Sequence, residues 1–352
     1  MCTGEEPCTG EELWTGVGTR PWLVRLAESA GEAARSVHEL TVVEICAGAG
    51  GQALGLEQAG FSHAAAVELD AGACETLRRN RGDDWKVIED DVANLDGHAF
   101  TGIDLVAGGV PCPPFSVAGK QLGRDDERDL FPQALRLVAE IRPRAVLLEN
   151  VRGLGTGKFA AYRAHVLGRL AELGYHACWQ LIHASDHGVP QLRPRFVLVA
   201  VAGPWAGSFR WPTPLPGPPP TVGETLADLM GSAGWPGAAS WAAHADRIAP
   251  TIVGGSKKHG GPDLGPTRAR AAWRALGVDG LGIADGPPGP GFPPDQAPKL
   301  TVRMVARLQG FPDAWEFSGR KTAAYRQVGN AFPPPAARAL GLAIAAALNS
   351  AC

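Results

Sequence analysis

Apolar segments alternate with segments of helical pattern from Thr41 to Ala202, and this alternation constrains the fold more than any other feature of the sequence. Strands that are each followed by a helix form βαβ units, in which helices cover a parallel sheet. The sequence therefore predicts an α/β domain with a mostly parallel sheet. We expect strands at Val42 to Cys46, His63 to Val67, Lys86 to Ile88, Ile103 to Ala107, Ala145 to Leu148, His176 to His183 and Phe196 to Val201. We expect helices near Gly51 to Ala59, Ala71 to Asn80, Asp129 to Ile141 and Lys158 to Leu173.

The alternation stops at Pro212, where the run PTPLPGPPP begins, and a second breaker-rich run, GPPGPGFPP, occupies Gly286 to Pro294. Proline and glycine end regular structure, so the two runs bracket an insert whose periodicity predicts no helix or strand. Beyond it we expect helices at Val302 to Gln309 and Pro335 to Leu348, the second returning to the sheet. The predicted organisation is an N-terminal extension (1–40), an α/β domain (41–204), an inserted module (205–298) and a returning C-terminal segment (299–352).

Charge is unevenly distributed along the chain. Lys and Arg number 33 against 36 Asp and Glu, a net charge of -3, so the overall charge does not indicate a nucleic-acid partner. Between Thr251 and Arg338, however, 12 Lys and Arg stand against 6 Asp and Glu. A basic C-terminal third predicts one face for an anionic partner, with a solvated basic surface as the alternative.

The cysteines and the N-terminus indicate the compartment. The 7 cysteines are odd in number, scattered and without a CxxC pair, which argues against disulfides and a zinc site. The opening MCTGEEPCTGEEL is acidic where a signal peptide would be basic, and we expect it to be mobile. No apolar stretch predicts a membrane span. We expect a cytoplasmic protein that needs no metal and no membrane.

The first candidate binding motif is a glycine turn between a strand and a helix. Gly48, Gly50 and Ala53 fit the spacing G-x-G-x-x-A, in which small residues let the backbone approach a cofactor. Glu68 follows after about 20 residues, where a carboxylate accepts ribose hydroxyls. Asp91 follows the third strand and is a candidate acceptor for an adenine amine. An ordinary turn explains the glycines alone equally well, but the set favours an adenosine-containing cofactor, either a dinucleotide or a sulfonium compound.

The second motif is the loop after the fourth strand, GGVPCPPFSVAGKQLGRDDERDLF. Cys112 lies between Pro111 and Pro113 at the carboxyl end of a strand, where ligand sites of α/β sheets lie. A lone cysteine is more often a small buried apolar residue than a nucleophile. The polar residues that follow are candidates for holding phosphates: Ser116, Lys120 and Arg128.

Two further motifs place charges at strand ends. Glu149 and Asn150 end an apolar strand, and burying an acid there is costly unless it is hydrogen-bonded, so Glu149 is a candidate proton handler. Arg193 and Arg195 lie two residues apart in VPQLRPRF and, on a strand, would face the same side. Two guanidinium groups facing one way suit a carboxylate or phosphate. A helix cap or a salt bridge explains each motif alone as well.

The order of these motifs resembles that of the DNA (cytosine-5) methyltransferases. AGAGG, PCPPFS, ENV, QLRPR, LTVRMVARLQGFPD and QVGNAFP follow one another as in that family, over Val42 to Ala202 and Leu300 to Leu348. The resemblance implies the Rossmann-like, S-adenosylmethionine-dependent methyltransferase fold, with the insert as target-recognition domain. It implies methylation of carbon-5 of a flipped cytosine in double-stranded DNA by a monomer, in a restriction-modification or epigenetic context. A cognate restriction endonuclease encoded nearby would then be a partner.

The resemblance also implies roles for individual residues. Cys112 would be the nucleophile, Glu149 the acid that engages the base, and Arg193 a supporting cation. The implied S-adenosylmethionine contacts are Cys46, Ala47, Gly48, Gly50, Gly51, Glu68, Leu69, Asp91, Val92, Pro111, Leu130, Asn330 and Ala331, with Gly329 beside them. The expected DNA contacts are Ser116, Lys120, Arg128, Arg195, Lys257, Lys258, Arg268 and Arg270.

Three positions depart from the family pattern. Cys46 stands where the family usually has Phe, and Leu69 where a larger apolar or aromatic side chain is frequent. These changes affect stacking on the cofactor and not the catalytic set. Pro113 replaces the more frequent Gln after the cysteine, a variant that is compatible with activity.

Three alternatives follow from the same residues. A related enzyme acting on transfer RNA would share the catalytic set, but the long insert favours duplex DNA. A catalytically silent DNA-binding relative would fit the Cys46 change, but retention of Cys112, Glu149 and Arg193 together argues against it. A nicotinamide-dependent dehydrogenase would use the glycine turn and leave the Pro-Cys and Glu-Asn motifs unexplained.

Overall fold

The computed structural model describes residues 39–111, 129–254 and 263–350, so nearly all of the predicted N-terminal extension lies outside the described residues. The strands are β1 (Leu40–Ile45), β2 (Phe61–Glu68), β3 (Val87–Glu89), β4 (Leu105–Gly109), β5 (Ala145–Val151), β6 (Tyr175–His183) and β7 (Pro194–Ala202). The helices are α1 (Gly51–Gln58), α2 (Ala71–Arg81), α3 (Phe131–Ile141), α4 (Ala160–Glu172), α5 (Gly203–Ala206), α6 (Val222–Gly231), α7 (Ala238–His244), α8 (Thr267–Arg274), α9 (Val302–Leu308), α10 (Lys321–Asn330) and α11 (Pro334–Asn349).

The strands form one seven-stranded sheet in the order β3-β2-β1-β4-β5-β7-β6. The sheet is mostly parallel, as the alternation predicts, and β7 is antiparallel to both of its neighbours. The turn between β6 and β7 reverses the chain, so β7 begins beside the end of β5. The pairing of Val151 with Arg195 records this reversal. The reversal therefore places the first residues of β7 at the edge of the sheet where the parallel strands end.

Successive side chains of a strand point to opposite faces of the sheet and so belong to different buried clusters. In β1, Val43 and Ile45 belong to the cluster that contains buried residues of α3 and α4. Val42 belongs to the cluster on the other face, which contains the apolar side of α11. Helices therefore cover both faces of the sheet, which is why its central strands are almost wholly apolar.

The insert forms three helices, α6, α7 and α8, where sequence periodicity predicted no element. Helix α6 begins with a capping box, in which Thr221 accepts from the Glu224 N–H and the Glu224 carboxylate accepts from the Thr221 N–H. This S/T-x-x-E signal is present in the sequence. The apolar residues of these helices share one buried cluster with α9 and with parts of α1 and α2. Residues from Glu39 onward accordingly form one compact unit.

The last two helices include a long apolar stretch. The stretch Lys321–Asn349 passes a length-and-composition test for a membrane span, but 61% of its apolar window is buried inside the protein. It consists of two helices, α10 and α11, separated before Pro334. Helix α11 packs against α1 and the sheet, as expected for a core helix.

Candidate active site

A cavity of ≈ 680 Å³ opens at the carboxyl ends of the parallel strands. Sheets of this type bind ligands at that edge because loops converge there and helices begin there. All of the predicted cofactor contacts lie on its wall except Gly50: Cys46, Ala47, Gly48, Gly51, Glu68, Leu69, Asp91, Val92, Pro111, Leu130, Asn330 and Ala331. Gly50 instead faces the buried side chains of Leu77 and Trp315, and a Cβ added to it would lie 2.8 Å from an atom of each.

Glu68 and the glycine turn form a polar corner of the cavity. The Glu68 carboxylate accepts the Gly48 N–H at 2.8 Å and the Asp70 N–H at 2.8 Å, one on each oxygen. Each oxygen keeps a further lone pair for a ligand hydroxyl. Gly48 has φ 55°, and no other group lies within 4 Å of the place where its Cβ would be. A diol fits against this fixed carboxylate, with the backbone of the turn beside it.

Cys46 lies on the same wall in a left-handed conformation, with φ 52°. Burial raises the pKa of its thiol to about 12, and the negative charges of Glu68 and Asp91 add to the effect. The side chain is therefore a neutral thiol at physiological pH and does not act as a competing nucleophile. Leu69, the other departure from the family pattern, also lines the cavity and is 67% exposed.

A buried polar group that the sequence analysis missed borders the cavity. Glu44 and Gln52 lie on its wall, and Glu44 lies 3.3 Å from His63. Burial raises the pKa of Glu44. Glu44 Oε1 and both amide atoms of Gln52 are buried and have no hydrogen-bond partner among the described residues. Glu44 in the otherwise apolar segment LTVVEI was the available signal. Unsatisfied atoms on a cavity wall fit a polar ligand such as the amino-acid part of a cofactor.

The catalytic acid predicted from the sequence is buried at the end of β5. Glu149 is 9% exposed, lines the cavity and lies 2.7 Å from Arg195 Nε. The two side chains meet because β7 runs antiparallel: Glu149 pairs with Val197, so Arg195 is its diagonal neighbour on the same face. Burial raises the pKa of Glu149, while the charges of Arg195 and Arg193 oppose this shift.

Arg193 has different partners from Arg195, and it lies just before the strand on which both arginines were expected. It precedes β7 and is fully buried. Its guanidinium donates to main-chain carbonyls of Ile252, Gly329 and Ala331 at 2.7, 2.8 and 2.7 Å. Burial, together with the charge of Arg195, lowers the pKa of Arg193. These bonds join the loop before β7 to the insert and to the C-terminal segment.

Gln191 strengthens the same junction. Its amide nitrogen donates to Gln309 Oε1 at 2.9 Å, and its oxygen accepts the Ile252 N–H at 2.8 Å. Gln309 in turn donates to the Val328 carbonyl at 2.8 Å. The QLRPR motif thus supplies two residues that hold three chain segments together and one, Arg195, that contacts Glu149.

The residue before the predicted nucleophile is held from two sides. Asn150 Nδ2 donates to the Val110 carbonyl at 2.7 Å, and Leu130 N donates to the Pro111 carbonyl at 3.3 Å. Pro111 lines the cavity directly before Cys112. Several predicted site residues lie outside the described residues: Cys112, Ser116, Lys120, Arg128, Lys257 and Lys258.

Two predicted DNA contacts lie on helix α8. Arg268 is exposed, whereas Arg270 is half-buried and donates to Thr267 Oγ1 at 3.4 Å. Residues two apart on a helix do not share a face. Of this pair, Arg268 has the more accessible guanidinium.

Comparisons with known proteins agree with this geometry. Residues 40–346 match the family model of C-5 cytosine-specific DNA methylases. The chain is 63% identical to the Type II methyltransferase M.NaeI of Lentzea aerocolonigenes over 89% of this chain and 76% of that protein. It is 53% identical to the Type II methyltransferase M.NgoMIV of Neisseria gonorrhoeae over 88% of this chain and 99% of that protein. A crystal structure of a Spodoptera frugiperda DNMT2 mutant shares the fold, with a TM-score of 0.61 and 17% identity over 87% of this chain and 99% of that chain.

Proposed function

Because the chain belongs to the C-5 cytosine-specific DNA methylase family, we propose that it methylates carbon-5 of a flipped cytosine in a specific duplex DNA sequence, through a covalent bond to Cys112. Its methyl donor is S-adenosylmethionine, the cofactor of this family. The observation that carries the proposal is the ion pair between Arg195 and Glu149, a buried acid on the wall of the cofactor cavity. An acid next to a cation at this edge is suited to a base that gains negative charge.

S-adenosylmethionine, when bound, supplies an electrophilic methyl group to carbon-5 of the cytosine. Glu68 would hold the ribose hydroxyls, with Asp91 and Leu69 on the adenine side. Glu44 and Gln52 offer unsatisfied polar atoms to the amino-acid end. These assignments use residues that line one cavity, and they leave Pro111 and Glu149 on the same wall for the reacting base.

Cys112 overcomes the weak nucleophilicity of carbon-5. Its thiolate adds to carbon-6, which moves electron density toward carbon-5 and ring nitrogen-3. After carbon-5 is methylated, it loses its proton, and the bond between sulfur and carbon-6 breaks to release the thiolate. An unperturbed thiol is only a few per cent ionised near pH 7, so we expect the site to favour the thiolate.

Glu149 and Arg195 stabilise the adduct. A protonated Glu149 donates a hydrogen bond to ring nitrogen-3 as negative charge develops there. Arg195 orients the carboxyl group and adds a positive charge at 2.7 Å. Arg195 therefore takes the role of supporting cation that the resemblance gave to Arg193. Arg193 holds the backbone around the site.

The DNA must present the cytosine outside its helix, at a cost of a few kcal/mol, because sulfur attacks perpendicular to the ring. We propose that the insert reads the sequence in the major groove, with Arg268, Lys257 and Lys258 among the phosphate contacts. The alignment with M.NaeI covers 89% of the chain and so includes most of the insert. This supports a shared recognition sequence and a Type II restriction-modification role with a cognate endonuclease. We further propose that the protein acts as a cytoplasmic monomer.

The decisive experiment is covalent trapping on duplex DNA that contains 5-fluorocytosine. Fluorine replaces the proton that must leave carbon-5, so the adduct persists when the donor is present. We expect the wild-type protein to form a complex that survives denaturation, with the DNA attached at Cys112. Cys112→Ala should form none while still binding S-adenosylmethionine. Trapping on transfer RNA but not on duplex DNA would replace the proposal with its RNA alternative.

The recognition sequence has its own measurement. DNA from cells that express the protein is challenged with the endonuclease of the M.NaeI system. We expect protection from cleavage. Cleavage of DNA that nevertheless contains 5-methylcytosine would show that the two proteins read different sequences.

A further inference from the structure

Tyr162, on helix α4, contacts Asp129, the first described residue after the sequence segment that carries Cys112. Tyr162 Oη lies 2.7 Å from both carboxylate oxygens of Asp129. Asp129 is 7% exposed, and it also accepts the Phe131 N–H at 3.1 Å, at the start of α3. A hydrogen bond to a buried carboxylate is stronger than one between neutral groups. Tyr162 thus fixes Asp129 relative to two helices.

The residue after Asp129 connects this contact to the site. Leu130 lines the cofactor cavity, and its N–H donates to the Pro111 carbonyl at 3.3 Å. Pro111 directly precedes Cys112 and lies on the same wall. A displacement of Asp129 would therefore move Leu130, which is hydrogen-bonded to Pro111, the residue before the nucleophile.

The tyrosine ring is held separately from its hydroxyl. It packs edge-on against Phe131, with ring centroids 5.8 Å apart and planes at 89°. Phe131 is fully buried in the core cluster beneath α3 and α4. Removing only the hydroxyl would leave this packing in place, so the contribution of the hydrogen bond is separable from that of the ring.

We propose that Tyr162 is a positioning residue for the methylation reaction, acting through Asp129 and the Leu130–Pro111 bond on the backbone of Pro111, the residue that directly precedes Cys112 in the sequence. The proposal rests on the proposed function, since it concerns the same nucleophile. Neither Tyr162 nor Asp129 touches the reacting atoms. Their contribution is to fix Pro111, from which the chain continues into Cys112, and small misplacements of reacting groups reduce rates steeply.

The test compares Tyr162→Phe with Tyr175→Phe as a matched control. The Tyr175 hydroxyl likewise donates one hydrogen bond, to the Pro143 carbonyl at 2.6 Å, before β5 begins and at the opposite end of the sheet. The measurement is the single-turnover rate of covalent trapping on 5-fluorocytosine DNA with saturating donor. We expect trapping by Tyr162→Phe to be about tenfold slower, and trapping by Tyr175→Phe to stay within about twofold of wild type. In steady state, kcat should fall in Tyr162→Phe while KM for DNA stays constant.

A second pair of variants tests the acceptor. Asp129→Asn keeps an oxygen for the Tyr162 hydroxyl and the Phe131 N–H, whereas Asp129→Leu keeps only the shape. We expect Asn to trap several-fold faster than Leu. Equal rates for Asn and Leu, or for Tyr162→Phe and Tyr175→Phe, would overturn the positioning role. If the wild-type protein forms no adduct at all, the proposed function fails and this proposal fails with it.

Discussion

Arg193 and Arg195 are separated by a single residue, yet they have different partners. The first donates to three main-chain carbonyls in a fully buried position, and the second contacts the carboxylate of Glu149. Removing a buried guanidinium leaves its acceptors unsatisfied, whereas Glu149 without Arg195 can become neutral by protonation. We therefore expect stability to depend on Arg193 and the methylation reaction to depend on Arg195.

Substituting Met for each arginine should separate these effects. Arg193→Met should lower the free energy of unfolding by about 3 kcal/mol or more, because charged hydrogen bonds to three carbonyls are lost. Arg195→Met should keep the fold and slow methylation by about 100-fold. Denaturant unfolding and single-turnover methylation measure the two effects. A stable but inactive Arg193→Met would return the supporting role to Arg193.

Glu149 makes a second prediction at the same scale. Its pKa is raised by burial, so the protonated form persists to higher pH than for an ordinary glutamic acid. Activity that needs this proton is present at low pH and falls as the pH rises through the raised pKa. Stability follows the same sign: the contribution of this site is complete below the ordinary pKa of Glu and is lost as the pH rises.

The measurement is kcat against pH for wild type and Glu149→Gln. We expect the variant to be slower and to lack the decline toward alkaline pH. It should keep the rise that comes from ionisation of Cys112, since thiolate increases with pH. An unchanged alkaline decline in Glu149→Gln would assign that decline to another group.

Among the elements, the contact between α1 and α11 fixes one side of the cofactor site. Helix α1 begins at the glycine turn, and α11 begins just after Asn330 and Ala331, which line the cavity. The helices touch at Gly55, where an added Cβ would lie 2.4 Å from the Pro334 carbonyl and 2.5 Å from the Ala337 Cβ. Neither helix can approach this closely with a side chain at position 55.

Gly55→Ala should therefore force the helices apart. We expect the free energy of unfolding to fall by about 1–3 kcal/mol, despite the better helix propensity of Ala. Gly168→Ala on α4 is the control, because nothing lies within 4 Å of its added Cβ. This control should gain about 0.5–1 kcal/mol. Equal stabilisation of both variants, measured by denaturant unfolding, would contradict the close packing.

For the whole molecule, the insert is joined to the catalytic sheet through the backbone. Ile252 donates its N–H to Gln191 and accepts from Arg193, and both partners precede β7. The insert helices share a buried cluster with α9. If the insert reads the DNA sequence, as we propose, then readout and chemistry are coupled through contacts of the Ile252 main chain, which do not depend on the identity of its side chain.

Replacing residues 212–294 with the insert of a relative that methylates another sequence should change which DNA is methylated. The graft must keep a main-chain N–H and carbonyl at the position of Ile252. We expect the graft to be trapped on 5-fluorocytosine DNA that carries the recognition sequence of the relative, and no longer on DNA that carries the original sequence. The readout is 5-methylcytosine mapping of DNA from expressing cells. Unchanged specificity in a folded, active graft would place readout outside the insert.

Much of the fold was predictable because its signals are local. The strands at Val42 and Ala145 and the helix at Val302 follow from runs and periods within a few residues of each other. The chemistry of the glycine turn, of Glu68 and of Glu149 is also local, since each motif lies at the end of an apolar strand. The capping box of α6 at Thr221 was a local signal that periodicity alone did not reveal.

The sequence by itself determined a mostly parallel α/β sheet and predicted the residues that line the cavity at its carboxyl edge. Only the tertiary structure decided which arginine meets Glu149, because that contact depends on the reversal of β7 beside β5. It likewise brought Tyr162 to Asp129 and left Glu44 beside the cavity. Periodicity reports what a residue does within its own strand or helix, whereas these contacts join segments whose relative placement is set by packing.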